Sequence, residues 1–181
     1  MKLLLSLTFL FSINVFAKSP IVVLETNMGS VEIELNEEKA PITVKNFLRY
    51  VDEKFYNGTI FHRVINGFMI QGGGFNEKLE EKKNYTAIKN EASNGLKNST
   101  GTIAMARTSD PQSATSQFFI NVNDNTSLDY PSPDGHGYAV FGKVISGMHV
   151  INRIKMVKTG QLGGYSDVPM DTVIIKSLKR K

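Results

Sequence analysis

The sequence predicts a mainly β domain, a mostly antiparallel closed barrel of about eight strands with two helices. Three observations lead there. Short apolar segments recur along the chain, several with period-two alternation; they do not alternate regularly with helical stretches; and only two stretches carry apolar residues at helical spacing. The second observation argues against a doubly wound parallel sheet, whose strands are joined by helical crossovers.

The first element is a hairpin. Ile21 to Leu24 and Val31, Ile33 and Leu35 flank Asn27-Met28-Gly29, and Ser30, Glu32 and Glu34 interleave with the apolar residues of the second arm, so one face is buried. A helix follows, because Val44, Phe47, Leu48, Val51 and Phe55 recur at helical spacing behind Pro41, and Asn57-Gly58 supplies a stop. Six further strands are predicted at Ile60 to Val64, Phe68 to Gln71, Thr102 to Ala106, Gln117 to Asn121, Ala139 to Val144 and Thr172 to Ile175. Met148, Val150, Ile151 and Ile154 give a second helix over Met148 to Ile154. Two connections, Gly74 to Thr100 and Asn123 to Gly137, exceed the usual loop length and are expected to rim a functional surface.

The first residues carry a different signal. Met1 to Ala17 has an early cation at Lys2, an apolar run short of a membrane span, and Val15 and Ala17 where a signal peptidase requires small residues. A secretory signal peptide over 1–17 is expected, with cleavage before Lys18 and a single domain over 18–181. Zero cysteines mean no disulfide, a pattern that fits export to a bacterial periplasm. With Lys2 removed the formal charge falls from +4 to +3, and the cations are scattered except at Lys176 to Lys181. That cluster is expected to be a frayed basic tail, so no nucleic-acid partner is expected, nor a membrane after cleavage, and the domain is expected to act as a monomer.

Motif searches remove several chemistries. Gly72-Gly73-Gly74 lacks the spacing of a dinucleotide fingerprint and the Gly-Lys-Ser/Thr of a mononucleotide loop, so it is expected to be a turn or bulge leaving a strand. His62, His136 and His149 stand apart from acidic or histidine partners, and no Gly-x-Ser-x-Gly is present; no metal and no cofactor is expected. His62 adjoins Arg63, but neighbouring strand residues point to opposite faces, so His62 is expected to be a hydrogen-bonded structural histidine. Arg63 itself is a permanent cation among Phe61, Val64, Ile65, Phe68, Met69 and Ile70, a setting that calls for a function.

Four ordered motifs, Phe61 to Gly73 (FHRVINGFMIQGG), Gly101 to Ala106 (GTIAMA), Ser116 to Ile120 (SQFFI) and Tyr138 to Val144 (YAVFGKV), resemble those of the cyclophilin-type peptidyl-prolyl cis-trans isomerases, most of all bacterial periplasmic members. The resemblance spans about Ile21 to Ile175. It implies an eight-stranded antiparallel barrel capped by two α-helices, and rotation of X-Pro bonds in folding exported proteins. It implies that Arg63 hydrogen-bonds the prolyl nitrogen and that Gln71 orients Arg63. It further implies a proline slot of Phe68, Met69, Phe119 and Leu128, and contact with the substrate backbone at Ala106, Arg107 and Gln117. Period two agrees in separating Phe119 from Phe118, which is expected in the core.

Three residues depart from the family pattern. Asn66 replaces a common Pro, in a turn where Asn-Gly is well tolerated. Tyr138 stands where many eukaryotic members have His and is expected to face the pocket. Ser127 takes the place of an aromatic residue, tryptophan in cyclosporin-sensitive members, which implies weak cyclosporin binding. A reading from a different class is a proline-peptide-binding holdase chaperone that uses the same groove without relevant catalysis.

Overall fold

In a computed structural model, which describes residues 19–132 and 134–181, ten strands and two helices are formed. In chain order they are β1 (Ile21–Thr26), β2 (Gly29–Leu35), α1 (Pro41–Asp52), β3 (Thr59–Ile65), β4 (Met69–Asn76), β5 (Thr102–Met105), β6 (Phe118–Asn121), β7 (Val140–Ser146), α2 (Met148–Ile154), β8 (Thr159–Leu162), β9 (Tyr165–Pro169) and β10 (Ile174–Arg180). Eight of the strands close into an antiparallel barrel in the order β1-β10-β3-β4-β6-β5-β7-β2, and β8 and β9 form a separate two-stranded ribbon. The expected signal peptide lies outside the described residues. Among the described residues no helix is long and apolar enough to cross a membrane.

The barrel interior is filled by alternate residues. Val31, Ile33 and Leu35 on β2 are fully buried, as the alternation with Ser30, Glu32 and Glu34 predicts. The core is rich in rings: Phe47 from α1 packs on Tyr56, Phe118 and Phe141 with centroids 5.0–5.6 Å apart. Gly73 belongs to this packing. Its φ of +84° is open to glycine, and a Cβ there would lie 2.8 Å from a ring carbon of Phe118. The three glycines therefore lie inside β4, at the bulge where four of its steps match two of β3, rather than in a turn that leaves it; Gly73 makes room for aromatic rings, Gly72 for the Ile60 carbonyl and Phe61, and Gly74 for the Gln117 side chain.

The helix α1 stops earlier than the apolar spacing predicts. Lys54 adopts φ +56°, and the Phe55 amide donates to the Tyr50 carbonyl, so the chain turns back after Asp52 and Phe55 packs on Tyr50 from outside the helix. Ala40 supplies no side-chain cap at its start. The Glu91 carboxylate does so from the long loop, accepting from the amides of Ile42 and Thr43 and from the Thr43 hydroxyl.

One further expectation is corrected and one element is added. The basic C-terminus is not frayed: β10 runs to Arg180 against β1, Leu178 is buried, Lys179 pairs with Glu25, Arg180 is bidentate to Asp52 at 2.7 Å, and Lys181 pairs with Glu32. A register shift at Glu25/Thr26 spaces the inward residues Ile175 and Leu178 three apart, which hides from period-two counting the continuation of the strand predicted at Thr172 to Ile175. The β8–β9 ribbon also escapes sequence reasoning, because Leu162 and Tyr165 are exposed and its residues show no buried alternation.

Candidate active site

Arg63 reaches the outside of the barrel through a bulge. On β3, Phe61 stands opposite Gly72 and Arg63 opposite Gln71, so two steps along β3 match one along β4. Phe61 and Val64 are in the barrel core, while Ile65 and its partner Met69 belong to a second apolar cluster outside it. Strict alternation from Phe61 would aim Arg63 inward. The extra residue, His62, turns it out, and its side chain is 43% exposed.

A hollow of about 110 Å³ opens beside it, lined by Arg63, Phe68, Met69, Gln71, Ala106, Arg107, Phe119, Leu128 and Tyr138. The structure thus brings together nine of the residues singled out from the sequence. Phe119 is buried in the outer cluster and Phe118 in the core, as period two predicts. The hollow is far below the roughly 300 Å³ at which pockets begin to enclose drug-sized ligands, so it fits one side chain of a longer molecule. Gln117 lines a neighbouring hollow of about 280 Å³ with Glu81, Asn84, Thr108, Ser113 and Thr115, and the two share Gln71, Ala106 and Arg107 as a common wall. Both long loops contribute, through Glu81 and Asn84 in one case and Leu128 in the other. A cleft of about 900 Å³ between α1 and Arg180 contains none of the expected site residues.

Three side chains have partners that the sequence did not indicate. The Gln71 amide donates to Gln117 Oε1 at 3.0 Å, whereas Arg63 Nε is paired with Asp167 Oδ2 at 3.6 Å. Arg107 has its side chain only 3% exposed, with its donors on the carbonyls of Gly137 and Thr108 and on Asp134, and its guanidinium 4.3 Å from the centre of the Tyr138 ring. That guanidinium is a buttress, its donors taken up by Gly137, Thr108 and Asp134. Its hydrogen bond holds the Asp134 carboxyl below the ordinary range. His62 is buried, edge-on to Phe75 with centroids 4.6 Å apart, and its Nδ1 has no hydrogen-bond partner among the described residues, against the expectation of a hydrogen-bonded histidine. Burial, with the Arg63 charge next to it, pushes its pKa down to about 4, so it is neutral at physiological pH.

Tyr138 sits between Arg107 and Phe119, its ring 5.8 Å from that of Phe119 and tilted by 74°. Leu128 is positioned by a chain of buried amides that sequence reasoning missed. Asn125 Nδ2 donates to the Phe68 carbonyl and to Asn121 Oδ1, Asn121 Nδ2 to Asn98 Oδ1, and Asn98 to Asp129. The one sequence signal was that Asn121 shares a face with Phe119. Asn98, Asn125 and Asp129 lie in loops, where asparagine and aspartate are common and carry no such mark.

The chain matches the family described as cyclophilin type peptidyl-prolyl cis-trans isomerase/CLD over residues 21–180. The chain belongs to the cyclophilins. It is an enzyme of the peptidyl-prolyl cis-trans isomerase class. It is 57% identical over 159 residues to peptidyl-prolyl cis-trans isomerase B of Escherichia coli (strain K12), covering 87% of this cyclophilin and 97% of that relative. Peptidyl-prolyl cis-trans isomerase A of Dickeya dadantii (strain 3937) is 55% identical over 158 residues, covering 87% and 83%. A Cryptosporidium parvum cyclophilin crystallised in the presence of the dipeptide Ala-Pro superposes with a TM-score of 0.74 at 29% identity, covering 89% of this chain and 98% of that one.

Proposed function

We propose that this cyclophilin turns X-Pro bonds by holding the proline ring in the hollow of Phe68, Met69, Phe119 and Leu128 while Arg63 donates to the prolyl nitrogen. Rotation about the imide bond breaks amide resonance, the source of a barrier of about 18–20 kcal/mol in ordinary peptide bonds. As the bond twists, the nitrogen pyramidalises and regains a lone pair that a donor can stabilise. That interaction exists only in the transition state, so it accelerates the reaction rather than merely tightening binding. Guanidinium is suited to the task because it stays protonated and presents a fixed fork of N–H groups. No bond is cut and no covalent intermediate forms.

The observation that carries this reading is the half-exposed Arg63 guanidinium on the edge of an apolar hollow that holds one side chain. The relative crystallised with Ala-Pro supports a proline-containing peptide as the occupant here. The backbone on either side of that proline would lie along Ala106, Arg107 and Gln117 and in the second hollow. Export to the periplasm is part of the same proposal and rests on the signal-like character of Met1 to Ala17. Its substrates would then be unfolded exported proteins.

The test is proline exchange on an X-Pro peptide, measured by NMR or a chymotrypsin-coupled assay. Arg63→Ala is expected to lower the rate at least about tenfold. If Arg63→Ala leaves assistance to a folding client intact while Phe119→Ala abolishes it, the holdase reading replaces this one. N-terminal sequencing of the exported product tests cleavage before Lys18.

A further inference from the structure

The structure assigns to Asp167, on the ribbon outside the barrel, the task of positioning Arg63 for catalysis. The inference rests on the role of Arg63 proposed above and adds a residue that sequence reasoning did not single out. Gln71, the expected orienting group, faces Arg63 in register but spends its amide on Gln117. The charged partner of Arg63 is instead Asp167, whose Oδ2 lies 3.6 Å from Nε.

Three features single out this contact. First, it engages Nε, at the stem side of the fork, while the terminal Nη1 and Nη2 groups make no hydrogen bond within the described residues. A guanidinium held at Nε keeps its orientation and retains its outer donors for a substrate.

Second, Asp167 takes φ +60°, a region that L side chains rarely occupy and that aspartate tolerates better than most. Strained backbone persists where the surroundings over-determine it, and it concentrates at functional sites. The strain is not repaid as stability, because both partners are about two-fifths exposed and pairs of that kind contribute little to folding.

Third, the ribbon is outside the barrel hydrogen-bonding network, yet β9 lies alongside β3. Tyr165 packs on Phe75, and Phe75 packs on His62, the bulge residue next to Arg63. The ribbon thus reaches the bulge twice, once through aromatic packing and once through the ion pair. The 3.6 Å separation is longer than a hydrogen bond, as is common for catalytic contacts before substrate arrives.

The experiment is a double-mutant cycle between Arg63→Ala and Asp167→Asn. NMR line-shape analysis of a proline peptide separates the on-enzyme rotation rate from the dissociation constant. Asparagine keeps the side-chain shape and the tolerance for positive φ while it removes the charge. In the wild-type background, Asp167→Asn is expected to slow on-enzyme rotation about three- to tenfold and to change peptide affinity less than about twofold. In the Arg63→Ala background the same change is expected to alter the rate less than about twofold, since the group being positioned is gone. Asp167→Gly, which accepts the same backbone angle, repeats the measurement if the asparagine variant folds poorly. Wild-type rotation in Asp167→Asn, or an equal proportional loss in both backgrounds, overturns the assignment while leaving the Arg63 mechanism intact. Wild-type rotation in Arg63→Ala overturns both.

Discussion

Phe61 and Arg63 are two residues apart on one strand, yet Phe61 faces the barrel core and Arg63 the outer groove. The bulge between them, where two steps of β3 match one of β4, makes the difference. It also explains why a permanent cation can stand in a strand of core-building residues. The apolar neighbours on either side are divided between two clusters, and the bulge lets Arg63 leave the inner one.

Charge alone does not make the proposed donor. Arg63→Lys keeps a cation but replaces the planar fork by a point charge on a flexible stem, with neither Nε nor its pairing to Asp167. On-enzyme rotation is expected to fall at least about tenfold, with peptide affinity changed less than about twofold. The two quantities are read separately by line-shape analysis, and near wild-type rotation in the lysine variant would argue for a simple electrostatic role.

His62 gives folding stability a dependence on pH in a defined window. Unfolded, its imidazole takes up a proton near the ordinary 6.5; folded, it resists until about pH 4. Between these values the unfolded state binds more protons, so stability falls as acid is added, by at most roughly 3 kcal/mol. Asp52 and Asp134, whose carboxyls are held low by Arg180 and Arg107, act in the same direction but only below the ordinary carboxylate range. Urea midpoints measured from pH 7 to 4 are expected to decline in the wild type and to be flatter in His62→Gln. An identical slope in the two proteins would assign the effect to other groups.

Arg107 is expected to act on stability and affinity rather than on the rotation step. Arg107→Ala leaves the Gly137 carbonyl without its two guanidinium donors and the Tyr138 ring without its cation. Asn90 Nδ2 still donates to that carbonyl at 3.2 Å, so the loss of stability should be about 1–2 kcal/mol, the usual result of removing hydrogen bonds made by a charged donor. Peptide affinity should fall with it because Tyr138 flanks Phe119. Thermal unfolding and a peptide titration measure the two effects.

Ser127 is exposed on the short turn Thr126–Leu128 beside the groove. With no large side chain there, cyclosporin loses a contact surface, and its binding is expected to be weaker than nanomolar while proline turnover persists. Ser127→Trp is expected to tighten the complex at least about tenfold by calorimetry. A nanomolar dissociation constant for the unmodified protein would contradict this.

Most groove residues were legible in the sequence because they sit in a contiguous motif or on a predictable face, whereas Leu128 and Arg107 lie outside the motifs and were indicated by the family resemblance alone. Phe119 and Asn121 share a side of β6, and Val31, Ile33 and Leu35 share a side of β2, since a regular strand repeats every two residues. The second helix follows the same logic, its buried residues Val150, Ile151 and Ile154 lying at helical spacing.

By itself the sequence determined the barrel class, the two helices and most of the side chains that meet in the hollow, which follow from local periodicity, from motif and, for Leu128 and Arg107, from the resemblance those motifs establish. Tertiary structure alone decided which way Arg63 points, what holds Arg107, that the last strand runs on to Arg180, and that Asp167 stands beside Arg63. Those outcomes depend on a bulge, a register shift and contacts between residues about a hundred or more apart, such as Arg63 with Asp167 and Asp52 with Arg180. A one-residue slip reverses the side every later residue faces, and no local pattern records where the slip occurs.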